Sequence, residues 1–367
     1  MKNIIVITAI FTLSAMVFSG CGKDESGDSL PDNITIGISD AISYPVSGSS
    51  KSANLGVDPL TGEEIYKHLR NFIYLGELSA DLVQDMMLSL KRHNITHAIT
   101  FSYESIYDGK NKNVVVKENV SVNDTTWDFC LTVSDEELGT ALQLFWNTNP
   151  LEIIAILQPG AFDFSTIRNP NAMIKIEYSE NDPDYDKTMI VSITKMDSTS
   201  RQYMSNLKFF AGKNGDIISL YGNSTHPYMA LLNDNHNNGR CFCFRARNDV
   251  PNDIAIARIA LPTILQTDMS NIWVDFSVDK VLTEEIDIVY ANVDQAVLTH
   301  IKNLFLDKAI GPAYFTGDQG FVSNASDVPD DEGFTQDFMN MTGLTPWSPS
   351  EINQMTLTFS TDSTVIN

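Results

Sequence analysis

Positive charge is scarce in this sequence. Its 367 residues hold 24 Lys and Arg against 47 Asp and Glu, a formal net charge of −23. Such a surface repels nucleic acid and anionic headgroups at long range, so DNA and RNA are excluded as partners. Long apolar runs are also missing near the start. Ile4 to Phe18 (IIVITAIFTLSAMVF) is uncharged for fifteen residues, whereas a helix needs about twenty to cross a bilayer. The familiar catalytic signatures are absent too. There is no G-x-S-x-G, no H-E-x-x-H, no Walker loop and no Gly-rich turn between a strand and a helix. The corresponding serine-hydrolase, zincin and nucleotide sites are therefore not indicated. Cysteine is rare, with four in the chain: Cys21, Cys130, Cys241 and Cys243.

The first of those cysteines stands in an informative place. Met1-Lys2-Asn3 carries one positive side chain, the short apolar run follows, and Ser19 and Gly20 are small. A positive start, a short apolar core and small residues before a cut site describe a secretory signal peptide. The stretch Val17-Phe18-Ser19-Gly20-Cys21 resembles the lipobox of bacterial lipoproteins, with Phe18 where Leu is usual. The resemblance covers about the first two dozen residues. It implies removal of residues 1–20 and acylation of Cys21 on its sulfur and its new amino group. One acyl chain holds a protein only marginally, and stable anchoring takes at least two membrane signals. Three chains on one cysteine meet that need. The next stretch, Gly22-Lys23-Asp24-Glu25-Ser26-Gly27-Asp28-Ser29, is polar and acidic. It is similar to the export tag behind the lipidated cysteine of Bacteroidetes surface lipoproteins. The implied location is the outer membrane, at the cell surface or facing the periplasm.

With Cys21 acylated, three cysteines remain, an odd number that leaves at least one thiol unpaired within the chain. Cys241 and Cys243 form C-F-C in an expected strand, where a disulfide between i and i+2 would be strained. Pairing of Cys130 with either, and burial of all three as reduced small hydrophobes, both fit.

The body is rich enough in apolar residues, 43%, to bury a sizeable core. Residues 21–59 read as the lipidated cysteine and a flexible Ser/Gly/Asp-rich tether, with one short early strand over Ile34 to Ile38. Thr61-Gly62-Glu63-Glu64 fits a capping box and opens apolar residues at helical spacing, Ile65, Leu69, Phe72 and Ile73. Gly76 is a natural stop, so two amphipathic helices, or one broken there, are expected up to about Asn94. From about 96 to 280 the period becomes two, as in Trp127 to Val133, Ile174 to Tyr178 and Ile272 to Val278. Turn residues punctuate this region at Asp108-Gly109, Asn149-Pro150 and Gly215-Asp216. A helix over Val293 to Lys308 and a last strand over Met355 to Phe359 complete the pattern. The expected fold is α+β and β-rich: a large antiparallel meander sheet or open half-barrel with amphipathic helices packed on one face. Residues 60–310 form the main α+β domain, and the loop-rich segment 311–367 packs back on it.

Candidate sites are few. Asp182, Asp184 and Asp186 alternate as calcium-loop carboxylates do, but Lys187 and Ile193 stand where an EF-hand has Gly and Glu. Asp327, Asp330, Asp331 and Glu332 form a second acidic loop. His226, His236, Cys241 and Cys243 supply zinc-type ligands at a spacing unlike any familiar knuckle. Ser224 near His226 lacks the second glycine of a nucleophile elbow. Trp127 and Trp146 lie in alternating strands and read as core. Trp273, beside polar residues, and Trp347, between Pro346 and Pro349, read as ligand contacts. Asp28-Ser29-Leu30, Asp124-Thr125-Thr126, Asp197-Ser198-Thr199 and Asp362-Ser363-Thr364 resemble the O-glycosylation tripeptide of exported Bacteroidetes proteins. No cofactor is expected. The expectation is a membrane-anchored exported lipoprotein that is non-catalytic and binds a lipid, glycan or protein partner. The alternatives are a glycan-acting hydrolase with a carboxylate pair and a structural part of a surface assembly.

Overall fold

The computed structural model describes residues 34–44, 60–92, 97–105, 109–122, 124–161, 169–195, 205–225, 232, 240–322, 327, 332–341 and 344–362. Cys21, the signal stretch and the tether up to residue 33 lie outside them. The chain divides into two compact units. One comprises Met1–Thr35, Leu78–Met196 and Thr356–Asn367, the other Ile36–Glu77 and Asp197–Met355.

Among the described residues the fold is a β-rich α+β arrangement whose thirteen strands form an antiparallel meander in chain order, in an open sheet. The first unit holds β1 (Ile99–Glu104), β2 (Asn111–Val122), β3 (Thr125–Asp135), β4 (Gly139–Thr148), β5 (Leu151–Leu157), β6 (Met173–Ser179) and β7 (Lys187–Thr194). The second holds β8 (Asn206–Asn214), β9 (Ile217–Thr225), β10 (Cys241–Asp249), β11 (Ile254–Ala260), β12 (Ala313–Thr316) and β13 (Gly320–Phe321). Period-two patterning and tight turns produce these hairpins. On β6, Ile176 and Tyr178 are buried, while Lys175 and Glu177 pair beside them at 2.7 Å. Asn214 faces Ile217 across a two-residue turn, and Gly215 there has φ +57°, a backbone state glycine adopts without steric cost. Trp127 and Trp146 are core residues, as the alternation predicts.

The helical opening is one element, α1 (Gly62–Arg92). The capping box forms as expected: Glu64 N–H donates to Thr61 Oγ1, and Thr61 N–H donates to Glu64 Oε2 at 2.9 Å. Gly76 does not stop the helix. It lies buried in mid-helix, where an added Cβ would come within 1.7 Å of the Phe209 ring. The glycine is there for close packing, not for a turn. In the second unit, Tyr66, Leu69, Phe72 and Ile73 of α1 are all buried, and Phe72 meets Phe242 edge-on at 4.4 Å. The segment 34–38 is not the expected strand, because its amides bond to α1 side chains. Ile34 N–H donates to Gln84 Oε1, and Ile38 N–H to Glu77 Oε1.

The alternation over Ile272 to Val278 also misleads. The chain there forms α2 (Ile272–Asp275) and α3 (Val278–Val289), followed by α4 (Gln295–Phe305). Val278, Val281, Leu282 and Ile286 are buried at helical spacing, and Val274 is exposed, so a period of 3.6 prevails once the longer stretch is counted. Asp294 caps α4 by accepting from Ala296 N–H. Two short helices follow, α5 (Glu332–Met339) and α6 (Pro349–Gln354). Residues 355–360 form no strand. Within the first unit, Gln143 pins Ser360 instead, by donating to its carbonyl at 2.9 Å and accepting from its N–H at 2.7 Å.

The first unit also carries a fully buried ion pair. Lys112 and Asp135 are directly opposed on β2 and β3, and neither side chain has solvent exposure. Lys112 Nζ donates to Asp135 and to the Ala161 carbonyl at 3.1 Å. Asp135 Oδ1 also accepts from the N–H groups of Glu137 and Leu138. Burial alone would raise the Asp135 pKa. The Lys112 hydrogen bond, the two amides and the Lys112 charge outweigh it and hold the carboxyl below its ordinary value.

Candidate functional site

Alternation along β8–β11 in the second unit separates two faces. One carries Leu207, Phe209, Phe242 and Phe244, with Phe209 and Phe242 against α1. The other carries Lys208, Phe210, Tyr221, Asn223, Arg245, Arg247 and Arg258. Phe210, Tyr221, Arg245 and Arg258 stand in register across four adjacent strands. This second face is covered as well. Phe334 and Phe338 of α5 pack on Ile256, with Ile217, Ile254, Tyr314 and Met341 around them.

Both tryptophans predicted as ligand contacts belong to this face. Trp347 precedes α6 and is half-buried. Its ring lies 5.2 Å from Tyr221, which stacks on Phe210 at 4.9 Å. Lys208 Nζ sits 4.3 Å from the indole centroid. The Trp347 carbonyl accepts from Asn223 Nδ2 at 2.5 Å. Ser348 then caps α6 in a capping box with Glu351, and Asn206 Nδ2 donates to the Ile352 carbonyl at 2.7 Å. This density of contacts fastens the C-terminal segment to β8 and β9. Trp273 is on α2 rather than on a strand. It packs with Met269 and Phe276 against Cys241, Cys243, Ala260 and Ile272.

Trp273 also leads to a residue that sequence reading passes over. Arg245 is 8% exposed. Its guanidinium carbon lies 5.0 Å from the Trp273 ring and 5.4 Å from the Phe338 ring. Nη1 donates to the Met341 carbonyl at 2.6 Å, while buried Nε has no hydrogen-bond partner. Among the described residues no carboxylate pairs with Arg245 or with Arg258, its cross-strand neighbour. Asp337 pairs with Arg247 at 3.1 Å and Glu285 with Arg240 at 3.5 Å. Burial and then the Arg258 charge push the Arg245 pKa down. A guanidinium does not lose its proton in a protein, so this marks an uncompensated positive charge. The available signal was Arg at alternate strand positions in an otherwise acidic chain.

No family model, no curated protein and no solved structure matches this chain.

The remaining candidates do not assemble into a reactive centre among the described residues. Asp182, Asp184 and Asp186 fall at the β6–β7 hairpin tip, as expected. There Asp182 Oδ1 accepts from the N–H groups of Asp184 and Tyr185, an Asx turn. No group of three or more His, Cys, Asp and Glu among the described residues is placed to hold a metal ion. His226, His236, Asp330 and Asp331 lie outside those residues. Cys130, Cys241 and Cys243 are buried and free of disulfides. Burial raises the Cys130 thiol to about 11 and the Cys243 thiol well above its ordinary value, so neither is an activated nucleophile. Asp81 is raised by partial desolvation and by Asp85, but both are on the solvent side of α1.

Proposed function

We propose that this chain is an exported lipoprotein, held at the outer membrane by acyl groups on Cys21, whose body binds a glycan or protein partner without catalysing a reaction. The observation that carries this reading is Cys21 itself, set between an uncharged run and an acidic Ser/Gly-rich stretch. The strand-rich body favours binding over chemistry, because burial raises the Cys130 and Cys243 thiols away from nucleophile activation and no described group of His, Cys, Asp and Glu is placed to hold a metal ion. A lipid cargo has less support. An acyl chain needs an open apolar face, and in the second unit α1 covers one sheet face and α5 packs on the other.

Metabolic labelling with a fatty acid tests the anchor. The parent chain is expected to take up label and Cys21→Ala to take up none. Equal labelling of the two would refute the anchor.

A further inference from the structure

We propose that Arg245 and Arg258 form a binding site for a compact oxyanion: a carboxylate, sulfate or phosphate group, free or at the end of a sugar chain. This deepens the binding reading above and rests on it only in expecting a ligand. Three independent observations converge on the site. The two arginines are register partners on β10 and β11, an arrangement that is destabilising for like charges unless something neutralises them. Neither has a carboxylate partner among the described residues, and Arg258 makes only a long contact to the Gly311 carbonyl at 3.4 Å. Arg245 is more than nine-tenths buried, with Nε unpartnered, and its guanidinium carbon lies over both the Trp273 and the Phe338 rings.

Two ring contacts and the bond from Nη1 to the Met341 carbonyl restrict the guanidinium, so its orientation is already set. Its Nε–H is one of the donors that engage a two-oxygen anion in parallel. Half-buried Arg258 supplies the second positive group at the more solvent-reachable side. The overall charge of −23 disfavours anions at long range, so attraction must come from this local pair. Stacked rings beside a paired guanidinium also suit a sugar that carries its anion on the ring.

Thermal midpoints of the full chain in detergent, at ionic strength matched with sodium chloride, test the site. The probes are sodium sulfate, sodium phosphate and methyl glucuronide. Sulfate stabilises most proteins by exclusion from their surface, so the readout is the saturable part of the shift and its loss in variants. The parent is expected to show saturation by at least one probe. Arg258→Gln is expected to raise the half-saturating concentration at least tenfold. Arg245→Met is expected to abolish saturation while keeping, without anion, a midpoint no lower than the parent's, since it removes an uncompensated buried charge. Saturation by methyl glucuronide at concentrations tenfold below sulfate or phosphate assigns a sugar-borne carboxylate. Saturation by sulfate or phosphate alone assigns the compact ion. No saturable shift in the parent, or the same shift in Arg258→Gln, overturns the proposal. So does a large loss of stability in Arg245→Met with an anion-insensitive parent, which would make the guanidinium a strut between two rings. Loss of the site with fatty-acid labelling intact refutes the site alone, and the reverse result refutes the anchor alone.

Discussion

Asp135→Ala is expected to destabilise the first unit by about 3–5 kcal/mol, because it strands the Lys112 ammonium in a site with no solvent. The nearby pair Lys110 and Glu137 is a built-in control. It is solvent-exposed, with side-chain accessibilities of 35% and 71%, and Glu137→Ala should cost about 1 kcal/mol or less. Burial, not pairing, creates the difference. Replacing both members by apolar residues of similar volume, Lys112→Met with Asp135→Leu, should recover most of the loss, because the desolvation cost of both charges disappears together. Denaturant midpoints decide the matter. A single-variant loss as small as that of Glu137→Ala would refute the buried-pair account.

The same pair gives stability a pH dependence of defined sign. Asp135 has a folded-state pKa below its unfolded one. Its contribution is therefore fully present above the unfolded value, about 3.9, and is lost as pH falls through the folded value. Acid unfolding of the parent should steepen below about pH 4, and the double apolar variant should lack that component.

Gly76→Ala carries the second large effect. At an exposed helix position this change adds up to about 1 kcal/mol of stability. Here the new methyl would meet the Phe209 ring at 1.7 Å, and that ring is fully buried. Gly222, the β9 residue opposite Phe209, also lies close against it, since an added Cβ there would come within 2.5 Å of Phe209 Cβ. Overpacking of this kind costs about 1–3 kcal/mol, so the sign of the ordinary effect reverses. Phe209→Leu in the Gly76→Ala background should return part of the loss, a coupling that a double-mutant cycle measures. A stabilising Gly76→Ala would show that helix propensity outweighs the contact.

These two sites show where the sequence was readable. The capping box at Thr61 and Glu64, the alternation through β6 and the turn at Gly215 are local rules, and each is visible in a few residues. The open meander follows from many such segments. Gly76 misled because a glycine stopping a helix and a glycine admitting a distant Phe look alike from sequence. The Ile272–Val278 run misled because a short window cannot separate period two from 3.6, whereas the window extended to Ile286 can. Ile34–Ile38 failed as a strand because Gln84 and Glu77, far along the chain, take its amides. Arg245 was unreadable for the same reason. Its isolation depends on which carboxylates come near, and Asp337 and Glu285 go to Arg247 and Arg240.

The central claim is the address set by Cys21, and the mass of the N-terminal peptide tests it most directly. The chain purified from the membranes of the cells that make it should yield a first peptide beginning at Cys21, with mass added by three acyl chains and a glycerol. An unmodified peptide running through Ser19-Gly20-Cys21-Gly22, or a mature end elsewhere, would contradict the account.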